Sequence, residues 1–125
     1  MITINYRDPR PIYEQIQAEL RRLMLTGALP PGSRLPSVRE LAGQLAINPN
    51  TIQRAYNDLD ARGILCAVPG RGCFITAHAA QLLEERARKR LPELDALVRA
   101  LALAGVSREE LAAHIDAVYA EEEKP

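Results

Sequence analysis

Apolar positions recur along this chain with three different rhythms, and the changes of rhythm mark its elements. Pro11 suits a first helical position, where a missing N–H costs nothing. Ile12, Ile16, Leu20 and Leu23 follow at helical spacing, with Tyr13 and Met24 widening the stripe and Gly27 ending it. ALPPGSRLPS, dense in proline and glycine, predicts a loop. Ser37 with Glu40 forms a capping box ahead of Val38, Leu41, Ala42 and Leu45, so a short second helix is expected over about 37–46. Asn48 caps a third helix, Pro49 occupies its first position, and Ile52, Ala55, Tyr56 and Leu59 form its apolar face up to Gly63.

The rhythm then shortens. ILCAV and CFIT are β-prone runs separated by Pro69-Gly70-Arg71-Gly72, which predicts a hairpin with a four-residue tip. From Ala77 the pattern is helical again. Leu83, Ala87, Leu91, Leu94, Val98 and Leu101 keep a three-or-four spacing up to Gly105. Ser107 with Glu110 is a second capping box, and Leu111, Ile115 and Val118 form a last stripe before a charged EEEKP tail expected to fray. The fold class expected is mainly α with a small β-hairpin. Residues 1–76 make one domain and 77–125 a two-helix segment.

Charge sharpens this division. Net charge is zero over 125 residues. Yet residues 1–76 carry nine arginines against six acids, and residues 77–125 carry seven cations against ten acids. The halves differ by the sign of three charges, as parts with different tasks do. All nine cations of the first part are arginine, which suits bidentate contact to phosphate or guanine. No apolar run approaches the ~20 residues of a membrane span, and MITINYRDPRPIYEQ lacks the layout of a secretory signal. A cytoplasmic location is expected. Cys66 and Cys73 make no disulfide framework and are expected as small buried residues on their strands.

Two short helices across a tight turn, then a hairpin, match a winged helix-turn-helix. The second helix of such a pair enters the DNA major groove N-terminus first. Its opening residues must cap the helix and also reach bases or phosphates. Asn48, Asn50, Thr51, Gln53 and Arg54 suit both tasks: amides pair with adenine, arginine with guanine, and the Thr methyl with that of thymine. No carboxylate lies between Glu40 and Asp58 to repel phosphate. Gly70 and Gly72 allow close backbone approach at the wing, Arg71 is placed to be drawn into a minor groove, and Arg39 lies on the exposed side of the second helix.

PGSRLPSVRELAGQLAINPNTIQRAYNDLDARGIL, followed by PGRGCFIT, resembles the DNA-binding domain of GntR-type bacterial transcription regulators over about residues 8 to 76. The LPSxRxLA block, NPNT, the AY pair and the G-x-G wing tip occur in order. The resemblance implies a winged helix, a homodimer and a palindromic double-stranded operator. It carries DNA contact to Ser37, Arg39, Asn50, Thr51, Arg54, Arg71 and Gly72. This chain has Pro49 and Gln53 where some relatives place arginines, which bears on base preference. The short tail resembles the YtrA-type branch, in which it serves to dimerise. Leu83, Ala87, Leu91, Leu94, Val98, Leu101, Leu111, Ile115 and Val118 are the expected dimerisation residues. So few residues do not bury their own apolar stripes, and a two-fold copy would cover them. Nor do two helices of one chain enclose the ~300–1,000 Å³ of a ligand pocket; a small-molecule effector is left unknown, with a pocket between subunits as the place for one.

The expected function is therefore a sequence-specific transcription regulator acting as a repressor. The alternative is a winged helix used as a protein-interaction module, with the acidic tail as partner surface. Enzymatic activity is not expected: there is no nucleophile–base pair, no phosphate-cradling G-x-x-x-x-G-K-[ST] and no dinucleotide glycine pattern. No cofactor is implied. His78 and His114 lack companions at metal-ligand spacing, so no metal site is expected. A redox role for the cysteines would require an exposed thiol in an electropositive setting. Arg10, Arg21 and Arg22 read as solvated charges, and Tyr6, Tyr13 and Tyr56 as packing residues.

Overall fold

A computed structural model describes residues 2–123. Lys124 and Pro125 of the charged tail lie outside the described residues. The chain divides into two compact units, Met1–Arg86 and Ala87–Pro125. In the first, α1 (Ile12–Leu25), α2 (Val38–Leu45) and α3 (Pro49–Ala61) enclose the core with a three-stranded antiparallel sheet. The strands are β1 (Arg34–Leu35), β2 (Leu65–Val68) and β3 (Gly72–Ile75), in the order β1-β3-β2. α4 (Ala79–Arg88) follows.

The predicted stripes make the core. Ile16, Leu20, Leu41, Ile52, Ala55, Leu59, Ile64 and Leu65 are buried together. α3 ends at Gly63 in the left-handed region (φ 78°), where the N–H of Ile64 donates to Leu59 O and that of Gly63 to Asp60 O. This pairing satisfies two of the carbonyls a helix end leaves open. The hairpin register pairs Leu65 with Ile75 and Val68 with Gly72, so its tip has three residues rather than four. The N–H of Arg71 donates to Val68 O, with Pro69 then Gly70 (φ 77°) between them. That is the residue order of a type II turn.

Two polar side chains are buried and fully used. Gln15 accepts from the N–H of Asn5 and donates to Asn5 O and Arg10 O, which ties the N-terminal segment to α1. Gln17, 4% exposed, donates to Ala55 O at 3.2 Å and to the Asp58 carboxylate at 2.9 Å, linking α1 to α3.

Four features depart from the sequence reading. β1 was unforeseen, because two residues ahead of a proline carry no period. The helix expected to run on from Ala77 is broken at Lys89–Arg90, so α4 is followed by α5 (Leu91–Leu103) and α6 (Arg108–Glu122), and the region holds three helices. Pro92 explains the break. Its ring in a continuous helix would strike the carbonyl of Arg88, whereas the first turn of α5 accepts it. Ala79 and Leu83 are buried in the first core and the chain divides after Arg86, where a boundary at Thr76 was expected; Leu83 lies on the core side of a stripe expected to be shared between core and dimer seam. Tyr6 is 71% exposed and packs nothing, and Cys66 is exposed, because the alternation of β2 sends Leu65 inward and Cys66 outward.

In the second unit, Gly105 (φ 96°) closes α5, with the N–H of Val106 donating to Leu101 O. Ser107 caps α6 by accepting from the Glu110 N–H. Glu121 and Glu122 of the expected frayed tail still belong to α6. Neither α5 nor α6 contains a buried residue. No helix among the described residues is long and apolar enough to cross a membrane.

Gln17→Leu removes a buried donor to a carboxylate and a carbonyl at nearly constant volume. Urea unfolding should show a loss of about 1–3 kcal/mol; an unchanged midpoint would mean that the link between α1 and α3 contributes nothing.

Candidate nucleic-acid interface

The turn between α2 and α3 is built from local chemistry. The Ser37 hydroxyl accepts from the Glu40 N–H at 3.0 Å and opens α2. Ala46 (φ 54°) is the only non-glycine residue with positive φ among those described, and it reverses the chain after α2. The Asn48 carboxamide oxygen then accepts from the Asn50 N–H at 2.9 Å, and Pro49 begins α3. Asn48 is thereby committed to capping through its oxygen.

Helical spacing separates the two faces of α3. Ile52, Ala55, Tyr56 and Leu59 are buried, and Asn50, Gln53, Arg54 and Asn57 are exposed, with Thr51 half-buried. The Tyr56 hydroxyl donates to Pro36 O at 2.7 Å, which fixes α3 against the entry to α2. Burial pushes the Tyr56 phenol far above its usual range, so it stays a neutral donor.

Two exposed side chains of α3 are held in place. The Arg54 guanidinium lies over the Tyr13 ring, 3.8 Å from its centroid. Tyr13 thus does more than pack: it holds a cation on the exposed face of α3. Gln53 donates through Nε2 to Asn57 Oδ1 at 2.7 Å. Neither link has a signal in hydrophobic period, since one joins separate helices and the other two polar residues.

At the wing, Arg71 is exposed at the tip. Gly72 (φ 111°) has a left-handed backbone that favours glycine, and the Arg34 side chain lies beside it near the wing tip, its Nε 2.9 Å from where a Cβ would be. Arg34 therefore joins Arg39, Arg54 and Arg71 as an exposed cation of this domain. The sequence reading missed it because β1 itself was not visible. Between α3 and the wing lies a cleft of about 330 Å³, lined in part by Ser37, Gln53, Asn57, Asp60 and Gly70. The Cys73 thiol is half-buried, and burial pushes its pKa up, away from the reactive thiolate. His78 and His114 are exposed, and the described residues contain no cluster of three metal-ligating side chains.

The sequence and the fold resemble those of known proteins. The model of "Bacterial regulatory proteins, gntR family" matches residues 12–75. The chain is 42% identical over 112 residues to the HTH-type transcriptional repressor YtrA of Bacillus subtilis (strain 168), covering 89% of this chain and 86% of that protein. A GntR family transcriptional regulator from Listeria monocytogenes superposes with a TM-score of 0.70 at 35% identity, over 88% of this chain and 96% of that one. The DNA-binding domain of AraR, solved in complex with operator ORE1, superposes with a TM-score of 0.52 at 28% identity, over 61% of this chain and 93% of that one.

Arg71→Ala should reduce the slope of log K against log salt by about one for each bound copy, with equal losses on all duplexes. Fluorescence anisotropy over a salt series measures it; a loss confined to one base position would assign Arg71 to base reading instead.

Proposed function

Because the chain belongs to the GntR family of bacterial regulatory proteins, and is thus a DNA-binding transcription regulator, we propose that it is a repressor occupying a palindromic operator as a homodimer. It acts in the cytoplasm, where promoter DNA lies. The observation that carries the reading is the exposed, acid-free start of α3, where Asn50, Gln53 and Arg54 point away from the core. Asn50, Thr51, Gln53 and Arg54 face the major groove. Ser37, Arg39, Asn48, Arg71 and the backbone at Gly72 hold the phosphates on either side, an arrangement that sets register while base contacts set sequence. Arg34, whose side chain lies beside Gly72, adds a further phosphate contact. Repression follows by steric exclusion. The name of the Bacillus subtilis relative, a transcriptional repressor aligned over most of both chains, supports that direction of control.

Dimerisation is assigned to the second unit. α5 and α6 leave Leu91, Leu94, Leu97, Ile115 and Val118 each 45–57% exposed, and Leu103 91% exposed. Leu94, Val98, Leu101, Leu111 and Ile115 line an apolar groove between the two helices, of about 370 Å³. A pair of helices this small leaves more apolar surface in water than a lone chain tolerates. A second copy related by a two-fold axis covers it, with Ala87 at the start of the same unit. Two tethered reading heads then bind with an avidity that one lacks.

The test pairs sedimentation with an electrophoretic shift on duplexes selected from a random pool. The wild type should sediment as a dimer and select an inverted repeat. The double variant Leu97→Glu, Ile115→Glu should be monomeric and bind the same repeat at least ~100-fold more weakly. A dimer that leaves every duplex unshifted at low salt would contradict the repressor reading. A variant that still dimerises would remove the dimer seam from α5 and α6.

A further inference from the structure

We propose that Asn57 is a positioning residue for Gln53, and that the pair reads adenine on the major-groove edge. The inference rests on the reading that α3 enters the groove, and it adds the base that one position of α3 selects. Gln53 and Asn57 stand one turn apart on the exposed face of α3. Gln53 Nε2 donates one hydrogen to Asn57 Oδ1 at 2.7 Å. That leaves the second Nε2 hydrogen and the Oε1 lone pairs side by side, a donor next to an acceptor. Adenine offers the complement, an N7 acceptor beside an N6 donor, whereas guanine offers two acceptors, N7 and O6. Against guanine, Oε1 would face O6 with no hydrogen between them.

A free glutamine escapes this conflict by giving both Nε2 hydrogens to guanine, one to N7 and one to O6. Here one of them is spent on Asn57 Oδ1, and turning the Gln53 amide over would set its Oε1 against Asn57 Oδ1, two acceptors in contact. Asn57 would have to turn as well, and Asp60 opposes that. Asp60 lies three residues further along α3 and lines the same cleft as Gln53 and Asn57. Its carboxylate is an acceptor only, and it takes the Ala67 N–H of β2 at 3.3 Å, which anchors it to the wing. That charge favours the Asn57 NH2 on its side, which keeps the Asn57 carbonyl towards Gln53. Arg54, the neighbouring cation, is held over Tyr13 and does not compete for the same base edge.

Selection from random duplexes, followed by competition with single-base variants, tests this with the full chain. The position read by Gln53 is the one whose preference disappears in Gln53→Ala. There the wild type should favour A·T over G·C by about ten-fold or more, and Asn57→Ala should bring the ratio within about three-fold while preferences elsewhere in the site persist. Asn57→Asp keeps the acceptor, so it should retain the adenine preference although its added charge weakens binding to every duplex. A purely structural role for Asn57 would lower affinity without moving that single ratio. An Asn57→Ala ratio equal to wild type, a guanine at the Gln53 position, or a Gln53→Ala protein with an unchanged site would overturn the inference and leave groove entry by α3 standing. A wild type that selects no sequence at all would overturn both.

Discussion

The interface depends on how firmly one face of α3 is held. Ile52, Ala55, Tyr56 and Leu59 seat the helix in the core. Two polar links fix what apolar contact alone leaves free, the rotation of the helix and its slide along its axis. The Tyr56 hydroxyl reaches Pro36 O, and Gln17 reaches Ala55 O and Asp58. Both partners are buried where an unmade hydrogen bond would be costly, so the pairing specifies one arrangement. With the inner face fixed, the spacing of 3.6 residues per turn sends Asn50, Gln53, Arg54 and Asn57 outward.

The same economy shapes the wing. Gly72 supplies a left-handed backbone at the start of β3 and room for the Arg34 side chain, so one residue both bends the hairpin tip and lets a cation lie beside it. Asp60 joins α3 to β2 through the Ala67 N–H. α3 and the wing are therefore linked by backbone and side-chain bonds within one unit, which keeps their side chains pre-set before any ligand arrives. The second unit follows the opposite rule. Its two helices are well capped at Gly105 and Ser107, yet they bury nothing of their own.

What was legible in the sequence follows from which interactions are local. Caps at Ser37, Asn48 and Ser107, the proline that opens α3 and the glycines that close α3 and α5 act within four residues, and each is where the pattern put it. The apolar stripes of α1 to α3 likewise became the core. Pro92 was legible too, but the unbroken leucine spacing masked it; backbone sterics outrank hydrophobic period at that point. β1 was not legible, since two residues gain their extended form from pairing with β3 and not from their own preference. The Arg54–Tyr13 stack, the Gln53–Asn57 bond and the Arg34–Gly72 approach were hidden for the same reason: each depends on side-chain placement that exists only in the folded chain. These unseen contacts set how the exposed side chains of α3 and the wing are presented, while their exposure on α3 followed from the helical period.

The central claim is that the outward face of α3, with the wing, is the surface that meets DNA. Backbone amide NMR of the full chain, titrated with a duplex it selects, tests this most directly. The account predicts that the signals of Asn50, Gln53, Arg54, Asn57, Arg71 and Gly72 shift together and saturate at one equivalent of half-site per chain. Shifts concentrated in α5 and α6, with the first turn of α3 unmoved, would contradict it.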